Sequence, residues 1–177
     1  MPIVPDAKDW TWVLERTCPE CGFDTSAVDR EDLAGRIAST SRAWTGVLDR
    51  PDVRERPDAH SWSPLEYACH VRDVHRVYAG RVGRMLDEDD PSYESWDQDA
   101  SAIEERYGEQ DPTTVAGEVT AAGDLLGALF AGVQRADWER TGRRSDGATF
   151  TIDSIARYYL HDIEHHLWDV TGMLPSH

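Results

Sequence analysis

Residues 158–170 read YYLHDIEHHLWDV: three histidines, two aspartates, one glutamate and three aromatics in a single short stretch. His161 and His165 are four residues apart, which on an α-helix stacks them one turn above the other on the same face. Two imidazoles at that spacing can bind one metal ion. Tyr158, His161, His165, Trp168 and Gly172 follow the alternating three–four spacing of a bundle seam. Ile152, Ile155, Tyr159, Ile163, Leu167 and Val170 form a second stripe roughly opposite. Either this helix is buried on both sides or the histidines face water. Thr151 is the expected N-cap and Gly172 the expected C′ residue.

Three more amphipathic helices lie upstream. Leu33, Ile37, Thr40, Trp44 and Val47 mark one face of a helix from about Asp29 to Leu48. In "SWSPLEY", Ser63 is an N-cap, Pro64 the first helical residue and Glu66 the partner that closes a capping box. Tyr67, Val71, Val74, Tyr78, Val82 and Met85 continue that helix as one stripe. Asp111-Pro112 opens another, with Val115, Val119, Ala122, Leu126, Leu129 and Val133 as its apolar side. The acidic segment 87–112 reads as a loop with one short helix, long enough to cover something. Gly147 marks a turn, and strand signals are nearly absent. The expected fold is all-α, a four-helix bundle. An N-terminal extension, residues 1–29, precedes a bundle domain, residues 30–177. A short helical turn is expected in the extension around "DWTWVLER", packed on the domain through Trp10 and Trp12.

The chain has 177 residues, 40% hydrophobic and 29% charged, ordinary for one globular domain with its own core. Its net charge of −16 repels phosphate backbones and anionic membranes, so neither is an expected partner. Lys8 is the single lysine among many arginines, a high-G+C coding bias without mechanistic content. No uninterrupted apolar run approaches the roughly 20 residues of a membrane span, and the first residues lack a secretory pattern. A cytoplasmic location is the expectation.

Cys18 and Cys21 sit in "TCPECGFD", the knuckle from which zinc ribbons are built. A ribbon needs two knuckles and one is present. A free dithiol is the first reading. A redox-active Cys-x-x-Cys and half of a zinc site completed by Cys69 or a histidine are the others. Cys69 reads as a small buried residue. His60, His75 and His177 read as surface or loop residues. Trp96 belongs to the acidic loop, as packing or as a cover for a pocket mouth. His70 lies at the edge of the second helix's stripe and could supply a third imidazole ligand.

The pattern W-S-x-x-E-x-x-x-H-x-x-D, present as Trp62, Ser63, Glu66, His70 and Asp73, is followed near the C-terminus by H-D-x-x-H-H-L-W-D-V. Together they resemble the DinB-like superfamily, with its thiol-dependent transferases and the N-terminal domain of mycothiol-dependent maleylpyruvate isomerase. The resemblance runs from about residue 30 to 172. It implies a four-helix bundle holding a divalent metal, zinc or nickel, on His70, His161 and His165. It also implies a low-molecular-weight thiol such as mycothiol, and an electrophilic substrate. Asp162 and His166 are then outer partners, or His166 is itself the ligand if the register differs by one. Asp73 matches a family position or pairs with an arginine. Arg72, Arg76 and Arg157 could meet the polar parts of the thiol. The expected activity is S-transfer or isomerisation, with a homodimer as one assembly. The alternatives are a non-enzymatic metal-binding or stress-response bundle, and a redox or zinc sensor using Cys18 and Cys21.

Overall fold

A computed structural model describes residues 10–175. The expectation for His177 lies outside them. Five α-helices and three short strands make up the regular structure, in the order α1 (Leu33–Leu48), α2 (Pro64–Asp87), β1 (Ser92–Tyr93), α3 (Gln98–Glu104), α4 (Pro112–Ala131), β2 (Thr141–Arg144), β3 (Thr149–Thr151) and α5 (Ile152–Thr171).

The four long helices form the bundle. Their ends are where the capping residues put them. The Ser63 hydroxyl accepts from the Glu66 N–H, and the Glu66 carboxylate accepts from the Ser63 N–H, closing the box at α2. Asp111 caps α4 with Pro112 behind it. Thr151 and Ser154 cap α5, and Gly172 ends it in the left-handed conformation at φ +70°. Helix α4 packs against both α1 and α2, and α5 against the same two. Helices consecutive in the chain, α1 with α2 and α4 with α5, therefore stand largely across the core from each other.

The predicted stripes of α1 and α2 are buried, Tyr67 only partly. In α4 the buried face drifts from the predicted one, to Val115, Val119, Gly123, Leu126, Gly127 and Phe130. Glycine lets it drift. A β-carbon at Gly123 would stand 2.1 Å from Ser41 Oγ and 3.2 Å from His75 Nε2, so α4 approaches α1 and α2 more closely than any side chain permits. By length and composition alone α4 could cross a membrane. Here its two acids, Asp124 and Glu118, pair with Arg42 on α1 and Arg72 on α2.

Helix α5 is buried on both sides. Ile155, Tyr159, Ile163 and Leu167 enter the core, while His161, Glu164 and His165 are covered by other elements. Arg36 on α1 reaches Glu164 with both arms, Nε to Oε1 at 3.0 Å and Nη2 to Oε2 at 2.8 Å. The N-terminal segment covers the histidine side. It forms the expected turn as a 3₁₀ helix, Thr11–Leu14, followed by a second at Thr25–Ala27. Arg157 of α5 fastens it by donating to the carbonyls of Thr25 and Val28.

Three short strands add a small sheet to the helical bundle, where the sequence carries almost no strand signal. β2 pairs antiparallel with β3 across a turn containing Gly147, at φ +97°, and parallel with β1 from the acidic loop. Segments of two to four residues are too short to show a period of two in sequence, and they exist only because each finds a partner. The small sheet anchors the acidic loop beside the end of α2 and α5. His75, expected at the surface or in a loop, is a correction. It is fully buried, with Nδ1 2.6 Å from Tyr159 Oη and Nε2 3.1 Å from Ser41 Oγ.

Candidate metal centres

Helix α5 carries two overlapping pairs at four-residue spacing, His161 with His165 and Asp162 with His166. Each residue advances a helix by about 100°, so the two pairs face different neighbours. The structure divides the expected set of His70, His161 and His165 between two clusters. His70 meets Asp162 and His166; His161 and His165 meet Cys18 and Cys21. Within each cluster one ligating atom per residue lies within 4.8 Å of the others.

In the first cluster, α2 supplies His70 and α5 supplies the other two. His70 is 1% exposed, and neither ring nitrogen has a hydrogen-bond partner among the described residues. Its Nε2 stands 4.0 Å from Asp162 Oδ1, beyond hydrogen-bond reach. The ring stacks on Trp96, planes 4° apart at 5.3 Å, with Trp62 at 5.0 Å and the edge of His166 at 4.8 Å. Burial lowers the His70 pKa, so the imidazole is neutral and free to ligate. His166 is braced on both nitrogens, Nε2 3.0 Å from Asp162 Oδ1 and Nδ1 3.0 Å from Asp169 Oδ2. Burial opposes its charge, but the two carboxylates outweigh burial and raise its pKa to about 10. Burial likewise opposes the charge on Asp162, yet His166 beside it holds its carboxyl far below the usual range. Asp162, expected as an outer partner, is part of the cluster.

A buried histidine with two unpartnered nitrogens has donors and acceptors that a bound metal ion or water would satisfy. Two imidazoles and a carboxylate are a donor set for zinc, iron(II) or nickel, and three protein ligands leave a position open. A cavity of about 620 Å³ opens on Asp162 and His166 of this cluster and on His161 and His165 of the other, with Trp62, Trp96, Tyr78 and Arg81 also in its lining. Arg144, brought in by β2, lines it too. These two are the arginines of the cavity wall. Arg72 and Arg76 instead bind Asp73, and Arg157 binds Asp153 and the N-terminal carbonyls. Asp73 is bound by Tyr107 as well, whose hydroxyl donates at 2.6 Å. Trp96 does reach the cavity, as part of the wall over His70.

In the second cluster all four residues are buried. Cys18 Sγ lies 3.8 Å from His165 Nδ1. His165 Nε2 faces Glu20 Oε2 and Asp169 Oδ1, each at 3.6 Å. His161 Nε2 has no hydrogen-bond partner among the described residues, and burial lowers that histidine's pKa to about 4. Burial also pushes the Cys21 thiol up to about 12, against an opposing hydrogen bond from the Phe23 backbone. Cys69 is buried elsewhere, its sulfur 3.8 Å from the Tyr107 carbonyl.

These features define a helical bundle that brings His, Cys and Asp side chains together beside a cavity. A family model described as the DinB superfamily matches residues 35–170, and the chain belongs to that superfamily. Among solved structures, YfiT from Bacillus subtilis superposes with a TM-score of 0.68 over 97% of this chain and 91% of that one, at 15% identity. It is described as a probable metal-dependent hydrolase with an unusual four-helix bundle topology. No curated protein matches the chain.

The DinB match leaves residues 1–34 outside, and with them both knuckle cysteines. The joining of that knuckle to His161 and His165 was not legible in spacing. The two overlapping four-residue pairs on α5 were the signal available.

Proposed function

We propose that this protein is a divalent-metal-dependent enzyme whose cavity brings a small nucleophile and an electrophilic substrate to His70, Asp162 and His166. The nucleophile we favour is a low-molecular-weight thiol of the mycothiol type, and the reaction S-transfer or isomerisation. One observation carries the reading: a buried histidine with two unpartnered nitrogens faces a second histidine and a carboxylate that line an open cavity.

A zinc or nickel ion held there supplies Lewis acidity, lowering the pKa of a bound thiol or water to give a nucleophile near neutral pH. The protein's own groups do the rest. Trp62 and Trp96 flank His70 and keep water from that side. Asp169 orients His166 through Nδ1, so Nε2 points toward Asp162 and His70. Arg81 is the cationic group in the wall open to a carboxylate on the thiol or substrate; Arg144 is paired with Asp146, and Glu20, Asp97 and Asp99 make much of the remaining charged lining acidic. Burial raises the Tyr78 pKa well above its ordinary value, so its phenol stays a neutral donor. In this reading the protein works in the cytoplasm, alone or as a homodimer, without nucleic acid or membrane.

Water in place of the thiol is the second reading, favoured by the likeness to YfiT and its description. Tag-free protein loaded with zinc or nickel separates the two. Conjugation of a thiol to an activated aryl halide should require the metal and vanish in His70→Ala. Ester or amide hydrolysis without added thiol would move the assignment to a hydrolase. Metal binding with neither activity would leave a non-catalytic bundle and end the enzyme reading.

A further inference from the structure

The His70 cluster does not use Cys18, Cys21, His161 or His165. The geometry points to a second metal site on these four residues: a closed zinc site that fastens the N-terminal segment to α5. Two thiolates and two imidazoles are the donor set of structural zinc, which takes four protein ligands in a tetrahedron. With zinc–sulfur bonds of about 2.3 Å and zinc–nitrogen bonds of about 2.0 Å, tetrahedral ligands lie roughly 3.3–3.8 Å apart, about 3.5 Å for a sulfur–nitrogen pair. The Cys18 Sγ to His165 Nδ1 distance of 3.8 Å is close to that, and all four ligating atoms lie within 4.8 Å of one another.

Four further observations agree. The knuckle is folded as zinc knuckles are, with Gly22 at φ +79°, its N–H donating to the Cys18 carbonyl at 2.8 Å, and the Cys18 N–H donating to Phe23. His161 Nε2 is buried without a hydrogen-bond partner, an atom that a cation would satisfy. His165 turns Nδ1 to the cysteine and Nε2 toward Glu20 and Asp169, 3.6 Å from each, so carboxylates stand on the side where outer partners orient a zinc ligand. Trp10 and Phe23 close over the two imidazoles, Trp10 at 5.6 and 5.1 Å and Phe23 at 5.5 Å from His161.

The consequence is architectural. Trp10 and Glu20 form part of the cavity wall, and the segment bearing them is joined to the bundle beside this site. A closed site here sets one wall of the cavity, while the three-residue cluster stays open for chemistry. The inference stands whether or not the His70 cluster is catalytic.

Cobalt(II) is the probe, added to reduced, metal-free, full-length protein without oxygen. Thiolate ligation gives a near-ultraviolet sulfur-to-cobalt charge-transfer band, and four-coordination gives intense visible d–d bands. Both should appear in the wild type and in His70→Ala, with about one equivalent bound at this site. The charge-transfer band should be lost in Cys18→Ser with Cys21→Ser, while far-ultraviolet circular dichroism still reports the bundle. A wild-type spectrum without the charge-transfer band overturns the inference, and that result needs no variant to fold. Persistence of the band in the double cysteine variant, or its loss in a folded His70→Ala, overturns it as well.

Discussion

The imidazoles of His165 and His166, neighbours in sequence, lie 6.1 Å apart and 78° out of plane, and each belongs to a different ligand cluster. One carboxylate touches both. Asp169 Oδ2 is 3.0 Å from His166 Nδ1, and Oδ1 is 3.6 Å from His165 Nε2. Removing an outer carboxylate of this kind costs about 10–100-fold in metal affinity. Asp169→Asn should weaken zinc at the His70 cluster by that amount in a competition titration against a chelator. The effect on the cysteine cluster should be smaller, because its contact is longer and Glu20 remains. Unchanged affinity at both would show that Asp169 is only a surface acid.

The Arg36–Glu164 pair joins α1 to α5 just behind the histidines. Glu164 is fully buried, and Arg36 meets it with two hydrogen bonds. Breaking such a pair from one side leaves a buried charge and costs about 3–5 kcal/mol. Arg36→Ala should lose that much in denaturant unfolding. Arg36→Met combined with Glu164→Leu should recover most of it. A single-variant loss below about 1 kcal/mol would mean that water reaches Glu164.

His75 gives the fold an acid-sensitive element away from either cluster. Burial drives its pKa from 6.5 down to about 3. The unfolded chain therefore holds the extra proton throughout the window between those values, and stability falls as pH is lowered through it. At about 1.4 kcal/mol per unit, the loss over the whole window is on the order of 4–5 kcal/mol. His75→Gln should flatten the dependence of unfolding free energy on pH between 6.5 and 4, although it also disturbs the hydrogen bonds to Ser41 and Tyr159. An unaltered slope would place the acid sensitivity in other groups.

Two glycines of α4 should respond oppositely to alanine. Gly117 has nothing within 4 Å of the added methyl, so Gly117→Ala should stabilise by about 0.5–1 kcal/mol through helix propensity. At Gly123 the methyl meets Ser41 Oγ at 2.1 Å and His75 beyond it. Gly123→Ala should cost about 1–3 kcal/mol, as overpacking does, despite the same propensity gain. Thermal unfolding of both variants checks the sign. Equal stabilisation would mean that α1 and α4 can separate freely.

Much of this molecule was determined by the sequence alone. The four long helices, the Ser63 and Thr151 caps, the Gly172 stop and the DinB membership rest on local rules: 3.6-residue periodicity, orphan backbone groups and motif order. Those rules act within a few residues of one another, so they survive without a tertiary structure. The small sheet did not, because Ser92–Tyr93 has no strand character until Thr141–Arg144 lies beside it. The assignment of ligands did not either. His161–His165 and Asp162–His166 have identical spacing, and no count along the chain says which pair meets His70. Burying Ile155, Tyr159, Ile163 and Leu167 fixes the rotation of α5 about its axis. That rotation turns Asp162 and His166 toward α2, leaving His161 and His165 to the N-terminal segment that brings Cys18 and Cys21 across from the far end of the chain.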